Sequence, residues 1–161
     1  MQALLDLADG LPRRTLSPGE GLITEGDAGG TLYILLDGGL RVEKRGTPVT
    51  AITEPGVCVG EVSLLLDVPA TADVVAAEPS TVAVVADGRR ALREHPDLGR
   101  TLAELLALRV QRMTTYLADL QRQYADHEGG LGMVDTVLGS LMHHAGTRSQ
   151  LGSERDPEPE Y

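Results

Sequence analysis

Few residues in this sequence are placed for covalent chemistry. His95, His127, His143 and His144 all lie outside the strand-like part of the chain, so a metal site there would have no imidazole ligand. His143 and His144 are adjacent and diverge on a helix, which separates them as joint ligands. Cys58 stands between Val57 and Val59 with no second cysteine, the setting of a buried small hydrophobe rather than of a redox or metal group. No Ser/His/Asp set, Gly-rich Lys loop or paired carboxylates at a meaningful spacing occurs, and catalysis is not expected. What remains is "CVGEVSLLLDVPATADVV", Cys58 to Val75, where a Gly-Glu pair runs through a short apolar turn to a proline and into a β-like segment. Its layout raises the question of a phosphate site, or of the remains of one.

The elements around it must supply the scaffold. Residues 2 to 9, "QALLDLAD", carry Leu4, Leu5 and Ala8 at helical spacing and stop at Gly10 and Pro12, which gives a leading helix within residues 1–12. From residue 13 to 86, short runs such as "TLYILL", "LRVEK" and "TVAVVA" alternate with turns such as "SPGE", "DGG" and "TEPG". Short strands separated by Gly/Pro turns indicate a β-roll or barrel rather than βαβ units. Residues 87–125 read as a hinge, broken at Pro96, and a long helix. Along that helix Leu102, Leu106, Val110, Met113, Leu117, Leu120 and Tyr124 recur at spacings of 4 and 3, the pattern of a coiled-coil seam. The seam can lie against the roll or pair with its copy in a homodimer, and the sustained repeat favours the dimer. Residues 126–145 hold one more amphipathic piece, Met133 to His144, and residues 146–161 read as a disordered acidic tail.

Composition narrows the function classes. The chain of 161 residues fits one domain with a helical appendage, and it has no Trp and no Phe, so aromatic platforms for stacked bases are missing. A net charge of −10 with scattered Lys and Arg argues against direct nucleic-acid binding. No leader precedes the fold and no apolar run approaches the roughly 20 residues of a membrane span, so the expected setting is soluble and cytoplasmic, without membrane contact.

The stretch "LSPGEGLITEGDAGGTLYILLDGGLRV", Leu16 to Val42, resembles the first half of the cyclic nucleotide-binding domain shared by the catabolite activator protein and the regulatory subunit of protein kinase A. Gly19, the "EGD" of Glu25 to Asp27, Tyr33 and the "DGG" turn stand in the family's order, and the resemblance extends over about residues 10 to 125. It implies an α+β fold: a β-roll of about eight strands with a short N-terminal helix, a hinge helix and a long C-terminal helix.

Under that resemblance Cys58 to Val75 corresponds to the phosphate-binding cassette. Gly60, Glu61 and Val62 open its short helix, whose N–H groups and positive dipole end would face the phosphate of cyclic AMP or cyclic GMP, while Glu61 would take the ribose 2′-hydroxyl. Glu61 also has a plainer reading as a cap of the short helix. The family then carries Pro-Arg followed by Ser, Ala or Thr. Here the residues are Pro69, Ala70 and Thr71, so the phosphate's arginine is replaced by alanine. Loss of a charge-assisted partner to a buried phosphate costs on the order of 2 to 5 kcal/mol, roughly 30-fold to several thousand-fold in affinity. Two-residue alternation would put Asp73 beside Thr71, where it would repel the phosphate unless a bulge after Pro69 turns it outward. Arg41, Arg45, Arg89 and Arg90 are the candidates for a replacement cation, and Thr114 and Thr115 fall where the family contacts the purine.

The expectation is therefore a non-catalytic regulatory module with a degenerate cassette and weak or absent cyclic nucleotide binding, dimeric through Leu106, Val110, Met113, Leu117 and Leu120. Its movable part would be the hinge, Asp87 to Leu98, pivoting at Pro96. Two alternatives stand beside it: an assembly protein that docks a partner through the C-terminal helices, and a working cyclic nucleotide binder with another Arg as its cation. The roughly 35 acidic residues after Ala125 are too few for the helix-turn-helix module of the family's transcription factors.

Overall fold

The computed structural model describes residues 2–123. Helix α1 (Gln2–Ala8) turns Leu4 and Ala8, one turn apart, into the core. Eight strands follow: β1 (Arg13–Leu16), β2 (Gly21–Ile23), β3 (Leu32–Asp37), β4 (Leu40–Lys44), β5 (Thr47–Ile52), β6 (Cys58–Val59), β7 (Asp73–Ala76) and β8 (Ser80–Val85). They form two four-stranded antiparallel sheets, in the orders β1-β8-β3-β6 and β2-β7-β4-β5. The fold is thus the α+β roll that the turn-punctuated strand pattern and the resemblance imply.

The most apolar strands form a wall between two cores. On β3, Leu32 and Ile34 join Leu4, Cys58, Leu64 and Leu102 on the helix-covered side, whereas Leu35 points into the roll with Leu40, Val74 and Val82. On β8, Ala83 and Val85 face the helices and Val82 faces the roll. Strands covered on both faces lose the polar half of their alternation, which is why "YILL" and "AVV" are uninterrupted. Cys58 is fully buried in the helix-side core, as a small hydrophobe would be.

The cassette helix α2 (Glu61–Leu66) connects β6 to β7, and two helices follow the roll: α3 (Gly88–Glu94) and α4 (Pro96–Gln123). Asp87 caps α3 by accepting the Arg90 N–H at 2.8 Å, and α4 starts at Pro96, where a fixed φ and a missing N–H are tolerated. The described residues divide into two units, one up to Ala107 and one from Leu108 onward. Within the first, Leu98 and Leu102 of α4 are buried in the helix-side core. The seam inferred from sequence is therefore split, since Leu102, its first member, packs on the roll. Leu106 is half-buried. In the second unit Val110 and Met113 are 52% and 55% exposed, and Leu117 and Leu120 are half-buried. Tyr124, the helix expected at Met133 to His144 and the expected tail lie outside the described residues. Among the described residues no helix is long and apolar enough to cross a membrane.

Candidate functional site

The site is built from the β6–α2 junction upward. Gly60 precedes α2 at φ 92, a backbone conformation that side chains rarely adopt, and a Cβ there would stand 2.4 Å from the Thr31 carbonyl oxygen. Only glycine fits both conditions. The turn it makes sets Glu61 as the first helical residue, 3% exposed, with Val62 half-buried beside it. A carboxylate in the first turn of a helix is favoured by the helix dipole. At the other end Asp67 closes α2 in the left-handed region at φ 57, its N–H donating to the Ser63 carbonyl.

The chain then returns through Pro69 to Ala70 and Thr71. Ala70 is 7% exposed and held on both sides by backbone: its N–H donates to the Asp27 carbonyl at 2.8 Å and its carbonyl accepts the Gly26 N–H at 2.8 Å. The "EGD" turn of residues 25–27 is thereby locked to the cassette. Thr71 is exposed and lies before β7, so strand alternation does not reach it. Asp73, the first residue of β7, accepts the Glu25 N–H at 2.7 Å and sits on the strand face opposite the buried Val74 and Ala76. The feared neighbour of the phosphate is thus turned outward and engaged with backbone.

Of the four candidate arginines, Arg89 meets the cassette, through Asp67 at the end of α2 and a cavity that it lines with Ser63 and Pro69. Arg41 pairs with Glu43 at 2.5 Å, Arg89 with Asp67, and Arg90 with Glu94 at 2.7 Å. Arg45 occupies the β4–β5 turn at φ 51, followed by Gly46 at φ 75, the paired positive φ of a primed hairpin turn. A second cation that reaches the cassette is Lys44, at the end of β4. Its Nζ donates to the Thr71 carbonyl and to Glu25 Oε1, the latter at 2.5 Å. That hydrogen bond, with a second from the Arg45 N–H at 3.3 Å, holds the Glu25 carboxyl below the ordinary carboxylate range. Sequence reasoning weighed only arginines. β4 carries Leu40 and Val42 toward the roll and ends on the exposed Lys44, whose partners lie far along the chain and leave no local signal.

Thr114 and Thr115 return their hydroxyls to their own helix, donating to the Val110 and Gln111 carbonyls at 2.9 and 3.1 Å. That is the ordinary use of a helical threonine. A cavity of about 240 Å³ lies between α2, the β2–β3 connection and α3, lined by Gly29, Gly30, Ser63, Asp67, Pro69 and Arg89 among others. It includes neither Glu61 nor Ala70. Among the described residues no group of three or more His, Cys, Asp or Glu could hold a metal ion.

Comparison with known proteins assigns this architecture. Residues 13–92 match the model of the cyclic nucleotide-binding domain. Over 80 residues the chain is 41% identical to the acetyltransferase Pat of Mycolicibacterium smegmatis, covering 48% of this chain and 24% of that protein. It is 40% identical over 80 residues to the cAMP-dependent protein kinase regulatory subunit of Yarrowia lipolytica, covering 49% and 21%. The chain thus spans about a fifth to a quarter of the length of these relatives. Among solved structures, the regulatory subunit of a cAMP-independent protein kinase A from Trypanosoma brucei superposes with a TM-score of 0.52 at 29% identity, over 67% of this chain and 38% of that one. With its two-sheet roll, its Gly60-Glu61 cassette helix and its following helices, this chain belongs to the cyclic nucleotide-binding domain superfamily, through residues 13–92.

Proposed function

We propose that the protein is a non-catalytic, cytoplasmic regulatory module in which the cyclic nucleotide site is degenerate, so that cyclic AMP and cyclic GMP bind weakly or not at all. One observation carries the reading: Ala70 stands buried at the position of the family's phosphate-binding arginine, and Arg41, Arg89 and Arg90 are each paired with a carboxylate, Glu43, Asp67 and Glu94. A missing charge-assisted bond to phosphate weakens binding by about 30-fold or more. The Trypanosoma brucei relative, the regulatory subunit of a cAMP-independent protein kinase A, supports the idea that this fold can serve regulation without that nucleotide. The module would act as a homodimer through Val110, Met113, Leu117 and Leu120, since an apolar face on a single helix is otherwise left in water.

The experiment is Ala70→Arg. The rest of the cassette, Gly60, Glu61, Pro69 and Thr71, is retained, so a guanidinium there should recover at least about tenfold in affinity for cyclic AMP or cyclic GMP. Asp73→Thr in the same background removes a carboxylate that could capture the new arginine. If neither variant binds measurably, the pocket has been reshaped and the roll serves as an assembly scaffold instead.

A further inference from the structure

We infer that Lys44 is the cation of this site, the group on which the phosphate of a weakly bound cyclic nucleotide rests in place of the cassette arginine. The inference rests on the reading above that the pocket keeps a residual affinity. Lys44 reaches the cassette itself, because its ammonium contacts the Thr71 carbonyl, one residue from Ala70. β4 carries it there: Leu40 and Val42 pack into the roll, and Lys44 ends the strand with its side chain exposed beside the cassette. The register Val42↔Val74 and Glu43↔Asp73 carries β4 alongside β7 up to the point where the cassette enters it. A lysine is a compact point charge on a flexible stem and can shift to a new anion without the fixed fork an arginine needs.

The same geometry explains why the affinity would be low. Lys44 is held by Glu25, whose carboxylate also accepts the Arg45 N–H. A phosphate must displace this intramolecular anion and approach its negative charge. Glu25 therefore acts as a competitor built into the turn that Ala70 locks in place, and lifting its charge should release Lys44 for the ligand. Glutamine at position 25 keeps the size and an acceptor oxygen for the Arg45 N–H.

The test is a double-mutant cycle on the full chain, with cyclic AMP as the probe and binding followed by NMR shift titration, which reads millimolar affinities. Glu25→Gln should bind about threefold to tenfold more tightly than the wild type, the range expected for freeing a partly exposed ion pair. Lys44→Gln should bind at least about threefold more weakly, or show no saturation. The gain from Glu25→Gln should vanish in the Glu25→Gln/Lys44→Gln double variant. A gain that survives in the double variant would mean that Glu25 acts only by repulsion and Lys44 is not the cation. Unchanged binding by Glu25→Gln would overturn the inference as well. Tight binding by the wild type would instead contradict the degenerate-site reading, and the cycle would still decide the role of Lys44.

Discussion

Leu64 of the cassette helix packs on Gly88, the first residue of α3, so closely that a Cβ at position 88 would stand 2.7 Å from Leu64 Cδ2. The same Cβ would stand 2.7 Å from the Gly30 carbonyl oxygen, which accepts the Gly88 N–H at 2.9 Å. The cassette, the β2–β3 connection and the start of the hinge thus meet at one glycine. Because interiors are close-packed, α2 and α3 constrain each other at this point. Replacing Gly88 with Ala should destabilise the fold by about 1 to 3 kcal/mol through overpacking, seen as a lower melting temperature. Leu64→Ala should cost about 2 to 5 kcal/mol, and the Gly88→Ala/Leu64→Ala pair should be less destabilised than the sum of the two, since the smaller side chain makes room for the new methyl. Additive losses would place the strain on the Gly30 carbonyl rather than on Leu64.

The Glu25–Lys44 pair predicts a pH dependence. Hydrogen bonds from Lys44 and the Arg45 N–H lower the Glu25 carboxyl below its ordinary value, so the folded state binds this proton less readily than the unfolded one. Such a group contributes stability in full above the unfolded value of about 4.3 and loses it as the pH falls through the lower folded value. In Lys44→Gln the Glu25 carboxyl should titrate at higher pH than in the wild type, by NMR of its side chain. The melting temperature of the variant should lie below the wild type at neutral pH and converge with it in acid. A constant gap across that range would show that Lys44 stabilises by packing alone.

The exposed face of the second unit predicts association. Val110 and Met113 are exposed apolar residues on the face of α4 that also carries the half-buried Leu117 and Leu120. Light scattering at micromolar concentration should give a dimer for the wild type and a monomer for Val110→Glu/Leu117→Glu. A wild-type monomer contradicts the proposed dimer.

How much of this was legible in the sequence depended on whether local rules governed the residue concerned. The roll, its turns and the break at Pro96 follow from alternation, Gly/Pro punctuation and helix-start chemistry, which act over a few residues. The helix that opens at Gly60 and Glu61 followed from the family resemblance rather than from these local rules. Lys44 was not legible, because its partners Glu25 and Thr71 are 19 and 27 residues away and are set beside it only by the β4–β7 pairing. Asp73 failed for a related reason. Alternation applies inside a strand, but β7 begins at Asp73, so Thr71 was never part of its pattern. The long helix showed a single repeat in sequence, yet Leu102 serves the roll while Val110 and Met113 remain exposed. Periodicity identifies an apolar stripe without naming what covers each turn of it.

The central claim is that the missing arginine leaves this domain with little response to cyclic nucleotides, and calorimetric titration of the wild-type chain with cyclic AMP and with cyclic GMP tests it most directly. The account predicts a dissociation constant in the millimolar range or no measurable heat, as expected when a micromolar site loses about 2 to 5 kcal/mol. A dissociation constant below about 10 μM for either nucleotide would contradict it.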